Sequence, residues 1–307
     1  MEFVDKALAR RFETAEEMPQ VHYAKLYQKL RPEIGAAVEP FCGGHMIFAG
    51  LNSLIGRTVG AGFDGSLSTA ELDRMERFYQ SHGAPAQIDV CPLTDLPVLE
   101  MLKERGYTLA ELNNVLVRRL EKEDEVVDLK QIPAKIRPAH PDEATECAAV
   151  VRHCFFPDGG GPDDFIAMFT PLFQFEGALP FVAEVDGIMV ACGAGLVVRE
   201  HGIVALFGAG TLPQFRRQGL QTALLRTRIA CAVRAGCEYA VIVTQGGTTS
   251  QRNAERLGFR LAYSKATMLK ALDPRWRKNS AISASQRLNL TRRFPRRSLR
   301  SRAVPCR

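Results

Sequence analysis

The chain contains no apolar run approaching the roughly 20 residues that a membrane span requires. Its first residues, Met1-Glu2-Phe3-Val4-Asp5-Lys6, lack the apolar core of a secretory signal. Its eight cysteines are scattered, with no Cys-x-x-Cys pair and no histidine cluster beside them. The usual zinc spacings and a disulfide framework are thereby disfavoured, so no metal is expected, and the compartment reads as reducing and cytoplasmic. Cys91, Cys192 and Cys231 fall inside apolar patterns, where a buried free thiol is the usual outcome. Acids are nearly missing from the end of the chain: Asp273 to Arg307 holds eleven Lys or Arg and one Asp. With a formal net charge of +6 overall, the first 272 residues carry about −4, and the tail alone makes the protein basic. Residues 273–307 read as a disordered basic arm. Such an arm can touch nucleic-acid phosphates weakly, but no base-reading module accompanies it, and a solvated tail is the expectation.

What is present is a globular composition, 46% apolar and 24% charged, with length enough for two domains. The most informative stretch runs from Leu212 to Leu225. An apolar strand-like run, Ile203 to Thr211, precedes it. A helical pattern follows, with Leu220, Ala223, Leu224, Thr227, Ala230 and Cys231 spaced at three and four. Between them lies a basic turn with one glycine, Arg216-Arg217-Gln218-Gly219. The first N–H groups of a helix have no partner within it, and its dipole favours an anion there. Gly219 lets a ligand approach the backbone, and Arg216 and Arg217 add fixed positive charge. The turn is therefore a candidate phosphate site.

This turn resembles motif A of the GNAT acetyltransferases, Gln/Arg-x-x-Gly-x-Gly/Ala, which grips the pyrophosphate of acetyl-CoA. Arg216 and Gly219 fill the first two positions, and Gln221 departs from the small residue of the third. Downstream, Tyr239 to Thr244 reads as a short, fully buried strand. A polar loop and a helix, Ser250 to Leu257, follow it. Gly258-Phe259 ends that helix and opens a strand over Arg260 to Lys270. This order is similar to motif B of the same family. The resemblance implies that acetyl-CoA, as co-substrate, contacts Thr211, Leu212, Arg216, Arg217, Gln218, Gly219, Leu220, Gln221, Thr222 and, on the following helix, Asn253.

The first half has a matching order. Lys6 to Leu30 patterns as a helix, Glu39 to Phe48 turns apolar and glycine-rich, and Leu54 to Phe63 is strand-like. Ser68-Thr69-Ala70-Glu71 is a capping box opening a helix that Gly83 ends. Then come a strand at Gln87 to Cys91, a helix at Leu96 to Glu104, Gly106-Tyr107 and a strand at Leu109 to Leu120. The two glycines lie 23 residues apart here, and Gly236 and Gly258 lie 22 apart in the second half. The fold class expected is α/β with a mixed sheet. By resemblance it is two tandem GNAT-like acyl-CoA N-acyltransferase domains. The divisions are 1–120, a degenerate copy; 121–133, a linker; 134–272, the copy with the CoA site; and 273–307, the basic tail. The first copy carries Asp64 and Glu71 where positive charge is needed, so it is expected to bind no CoA. Gly60-Ala61-Gly62-Phe63-Asp64-Gly65, with Asp89 24 residues on, matches a dinucleotide fingerprint. Ser66, Leu67 and Ser68 separate its glycines from the helix, which disfavours that reading.

In the second half, Ile136-Arg137-Pro138 reads as a strand, and Asp142 to Phe155 and Asp163 to Phe173 as helices. The loop Phe156 to Pro162 between them is either a border of the acceptor site or a plain connector. Asp186-Gly187 signals a hairpin between Phe181–Val185 and Ile188–Val198. The family mechanism implies backbone N–H groups near Gly210 to Leu212 polarising the acetyl carbonyl. The base is not evident: Ile203 to Thr211 holds no acid, and Ala254 stands where many members place a general-acid tyrosine. Tyr263, Glu184 and His201 are the remaining candidates, each with an ordinary structural role as the simpler reading, and the catalytic residues stay unassigned. Two classes stay open. One is an acetyl-CoA-dependent N-acetyltransferase acting on a small-molecule or peptide amine. The other is a CoA-binding or interaction protein without catalysis.

Overall fold

A computed structural model describes residues 3–51, 53–65, 67–94 and 97–272; the basic tail expected at 273–307 lies outside the described residues. The chain opens with α1 (Lys6–Leu30), capped by the Asp5 carboxylate on Leu8 N–H. A hairpin follows, β1 (Ala37–Phe41) and β2 (Gly44–Phe48), and then β3 (Thr58–Val59). Next are α2 (Thr69–Ser81), β4 (Ala86–Val90), α3 (Pro97–Glu104) and β5 (Thr108–Arg119). The second half begins with β6 (Lys135–Pro138), α4 (Ala144–Phe155) and α5 (Phe165–Phe169). It continues with β7 (Phe181–Val185), β8 (Ile188–Val198), β9 (Ile203–Thr211) and α6 (Leu220–Arg234). It closes with β10 (Tyr239–Gln245), α7 (Thr249–Arg256) and β11 (Arg260–Lys270).

All eleven strands form one mixed sheet, ordered β1-β2-β3-β4-β11-β5-β10-β9-β8-β7-β6. The order is symmetric about its middle. β3 and β4 are parallel neighbours joined through α2, as β9 and β10 are through α6. The last strand of each half lies beside the strands of the other. β5 pairs antiparallel with β10, Val117 facing Val241, and β11 pairs antiparallel with β4, Met268 facing Ile88. β5 and β11 then pair with each other. Backbone hydrogen bonds therefore join the halves without a break.

Helices cover the sheet because alternate strand residues are apolar on its covered faces. α1, α4 and α5 share one core with the central strands, through Phe12, Tyr23, Val151, Phe165, Ile203 and Val241. α6 and α7 bury Leu225, Ile229, Ala254 and Leu257 against Leu116, Val204 and Ala240. α2 and α3 bury Leu72, Met75, Val98 and Leu102 against Ile88 and Met46. α1 reaches across both halves: Arg11 donates to the His201 carbonyl at 2.7 Å, and the Tyr23 hydroxyl to the Met168 carbonyl at 2.7 Å.

Several sequence expectations change in detail. The strand expected over Leu54–Phe63 shrinks to Thr58–Val59, because Gly60 and Gly62 take positive φ and turn the backbone out of the ladder. The second helix of the second half stops being α-helical at Phe169, and Pro171 lies in the tighter 3₁₀ turn that follows. Cys231 is half-buried rather than buried, whereas Cys91 and Cys192 are buried thiols. Tyr239 to Val241 are buried but Ile242 to Thr244 are only half-buried, for a reason that belongs to the site.

Candidate functional site

β9 and β10 pair in parallel only over Ile203–Ala205 and Tyr239–Val241. Beyond that point β9 stays with β8 as far as Thr211, and β10 stays with β5 as far as Gln245. The strands diverge, and Leu206–Thr211 and Ile242–Gln245 become the walls of a cleft open toward their C-terminal ends. That is where a ligand belongs in a sheet of parallel strands, and it explains the half-burial of Ile242 to Thr244.

The basic turn stands at the mouth of this cleft. Gly219 is the N-cap of α6 with φ +79°, a conformation that favours glycine, and no side chain caps the helix. The first backbone bond of α6 runs from Ala223 N–H to the Gly219 carbonyl, so the N–H groups of Leu220, Gln221 and Thr222 have no partner within the helix. Arg217 is also left-handed, at φ +65°, a costly conformation for a side-chain residue that commonly marks functional turns. Arg216, Arg217, Gln218 and Gly219 are exposed, and Leu220 is buried. Arg216 Nε donates to the Thr211 carbonyl at 3.2 Å, tying the turn to the end of β9. Gln221, the departure from the small residue, bonds through its Oε1 to the Thr211 hydroxyl at 3.2 Å. Its side chain is thus held at the strand end. Thr211, Leu212, the turn and Thr222 are contiguous around one helix N-terminus. Asn253 lies on a separate helix, α7, which starts from the same end of the parallel pair.

Two of the expected donors are not available. Leu212 N–H donates to the Val190 carbonyl at 2.9 Å, extending the β8–β9 ladder by one residue. Antiparallel ladders alternate, so Gly210, opposite Cys192, also turns its N–H toward β8. By the same alternation Thr211 turns its N–H toward the cleft. Between Cys192–Gly210 and Ala194–Phe207 the register shifts, and two residues, Gly208 and Ala209, oppose the single Gly193. Gly208 has φ +60°, so β9 carries a β-bulge at the cleft.

Beneath the bulge lies Arg228, 1% exposed. Its Nη1 donates to the Ala194 carbonyl at 2.6 Å and the Phe207 carbonyl at 3.4 Å, and its Nε to the Leu224 carbonyl at 3.1 Å. Among the described residues no carboxylate pairs with it. Burial pulls its pKa down to about 10, still protonated at neutral pH. Its signal in the sequence is one of spacing: Leu220, Leu224 and Arg228 follow one another at four, placing a charge on the apolar stripe of α6. Cys154 is a second residue at the cleft that no local pattern marks. From the end of α4 its thiol donates to the Thr211 carbonyl at 3.2 Å, closing the cleft on that side.

The candidate bases are occupied elsewhere. Glu184 accepts from Arg137 Nε at 2.8 Å on the outer strands. The Tyr263 hydroxyl donates to Glu13 at 2.8 Å, and burial raises its pKa far above the usual phenol range. His201 sits in the turn before β9, at the end of the strand away from the cleft. Ala254 is buried against the α6–α7 core and offers no proton.

The first half handles the corresponding helix differently. α2 is capped by the Ser68 hydroxyl, which accepts from Glu71 N–H at 3.2 Å, and Glu71 adds negative charge to its first turn. Asp64 is ion-paired with Arg10 of α1. At Gly60 a Cβ would lie 2.5 Å from the Glu17 carboxylate, so α1 fills the space beside β3 with acid. A side-chain cap and an acid thus occupy the start of α2, where a helix dipole would otherwise favour an anion.

The family described as the Acetyltransferase (GNAT) family matches residues 148–259, from within α4 to the residues just after α7. No curated protein matches the chain. Among solved structures, a GCN5-related N-acetyltransferase from Kribbella flavida is 17% identical with a TM-score of 0.58; the match covers 81% of this chain and 96% of that one. A tandem GNAT protein from the clavulanic acid biosynthesis pathway is 12% identical with a TM-score of 0.50, covering 66% of this chain and 68% of its own. At these identities the likeness is one of fold.

Proposed function

We propose that the chain binds acetyl-CoA at the N-terminus of α6 and transfers the acetyl group to a primary amine of a small molecule or peptide. The observation that carries this reading is the uncapped, glycine-led start of α6, flanked by Arg216 and Arg217, at the mouth of the β9–β10 cleft. The pyrophosphate would take the free N–H groups of Leu220, Gln221 and Thr222. The pantetheine arm would run between the strands to the bulge, where the Ala209 N–H would meet the thioester carbonyl and its developing oxyanion. The first half is read as a second copy of the same unit that binds no CoA and completes the sheet. The opposite capping of α2 and the acid beside β3 support that reading.

A second reading, a CoA-binding protein without turnover, is favoured by one observation: Glu184, Tyr263 and His201 are all placed away from the cleft or engaged in other bonds. Proton removal from the amine would then fall to water or to the substrate itself. Calorimetry with acetyl-CoA on the wild type and Gly219→Glu tests the site, because the substitution puts bulk and negative charge where the pyrophosphate belongs. Micromolar binding abolished by the substitution supports both readings, and turnover with a panel of amines then separates them. A wild type that binds neither CoA nor acetyl-CoA sinks both.

A further inference from the structure

A β-bulge breaks the ladder locally, and its flanking carbonyls need donors from elsewhere. In β9 that donor is a guanidinium. Arg228 comes up from α6 with Nη1 at 2.6 Å from the Ala194 carbonyl and 3.4 Å from the Phe207 carbonyl, the residues paired next to the bulge. The single residue opposite the bulge, Gly193, leaves room for it. A Cβ there would lie 2.7 Å from Cζ and Nη2 and 2.9 Å from Nη1. Gly193, Gly208 and Arg228 thus interlock: one leaves space, one takes the left-handed turn, and one donates to the carbonyls of the flanking pair. A buried ion without a counter-charge is an expensive way to support a strand, and an apolar side chain of similar size would be cheaper. Its placement under the one bulge in the cleft argues for a task that an apolar residue cannot perform. Donation to the Phe207 carbonyl also polarises the Phe207–Gly208 peptide that enters the bulge, since hydrogen bonds in series strengthen one another.

We propose that Arg228 is the positioning residue of the acetyl site, holding the β9 bulge so that the Ala209 N–H is aimed at the thioester carbonyl. The inference rests on the acetyl-CoA reading above. It separates two functions within one ligand: the turn at Gly219 grips the pyrophosphate, and the bulge braced by Arg228 polarises the acetyl group. CoA has no carbonyl at its sulfur, so its affinity should be blind to Arg228.

The test uses the full chain, acetyl-CoA labelled with ¹³C at the acetyl carbonyl, and infrared difference spectra alongside calorimetry. The wild type is expected to lower the carbonyl stretch of the bound thioester relative to free acetyl-CoA. Arg228→Met should lose at least half of that downshift while its CoA dissociation constant changes less than threefold. Acceptor-free hydrolysis of acetyl-CoA should fall by about a hundredfold, as when an oxyanion donor is removed. Arg228→Lys, which keeps one donor, should recover part of the downshift. If Arg228→Met does not fold, Gly193→Ala displaces the guanidinium with its charge intact and should show the same loss. An unchanged carbonyl stretch in a folded variant overturns the proposal. Equal losses of CoA and acetyl-CoA affinity overturn it too, since they would mean that Arg228 supports the whole site rather than the carbonyl. A wild type that binds neither ligand fails at the earlier step, and the acetyl-CoA reading falls with it.

Discussion

Lys265 offers the sharpest test of how α1 is held to the sheet. It lies on β11, 1% exposed, with Nζ at 2.9 Å from Glu16, 3.1 Å from Glu13 and 3.6 Å from Asp89. Glu13 and Asp89 are themselves buried, and Asp89 keeps a second cation in Arg57, 3.5 Å away. Replacing Lys265 by Met retains the stem and removes the charge. Among the described residues Glu13 then keeps only the Tyr263 hydroxyl as a donor, a neutral partner for a buried carboxylate. Breaking a buried ion pair from one side costs about 3–5 kcal/mol, much more than the loss of a surface pair. In a chain of this size that corresponds to a fall of roughly 5–8 °C in Tm. The loss should depend on pH in a defined direction. Burial already raises the Glu13 pKa above its ordinary value, and Lys265 opposes that rise. Without the lysine the folded-state pKa moves higher still. A carboxyl whose folded pKa is raised stabilises the fold fully below the unfolded value, and loses that contribution as pH climbs through the folded one. Lys265→Met should therefore recover stability between pH 7 and pH 5, at about 1.4 kcal/mol per unit of additional shift. Urea unfolding of both proteins at the two pH values measures this. A deficit below about 1 kcal/mol at pH 7, or one identical at pH 5, would refute the argument that the lysine compensates buried acid.

Two further outcomes follow from the helix ends. Ser68→Ala removes the hydroxyl that accepts from Glu71 N–H and should cost about 1 kcal/mol in urea unfolding. It should leave acetyl-CoA affinity unchanged if the first half binds no CoA, as proposed; a loss of affinity would contradict that proposal. Arg216→Ala combined with Arg217→Ala should weaken acetyl-CoA binding by about tenfold in calorimetry at low salt. The deficit should shrink as ionic strength rises, since both side chains are exposed and their attraction is screened.

Much of the fold was legible in local pattern. The helix over Lys6–Leu30, the Ser68 cap, the Asp186-Gly187 hairpin and the strand–turn–helix around Gly219 are all encoded by residues within a few positions of one another. The turn could be read because a glycine and two arginines before an apolar helix imply backbone geometry and charge together. What could not be read depends on which distant strands meet. Nothing local in Thr108–Arg119 says that it pairs with Tyr239–Gln245 rather than with its own half, or that Arg260–Lys270 crosses to Ala86–Val90. The same limit hid the Leu212 N–H, whose availability depends on Val190, and the meaning of Arg228, whose carbonyl partners sit on two other strands.

The exchange of β5 and β11 bears on how the two halves should be regarded. Residues 1–120 and 134–272 resemble one another in order, yet neither holds its own last strand beside its own sheet. Cut between them, the second half would leave the β10 edge bare along Tyr239 to Gln245, the far wall of the cleft. An open strand edge of that length is prone to wrong pairing. The first half, in turn, would expose β4 and lose Lys265 from among Glu13, Glu16 and Asp89. The cleft wall thus depends on a strand from the other half of the chain. The first half supplies β5 to the wall of the cleft whatever else it does, so tests of binding belong on the whole chain.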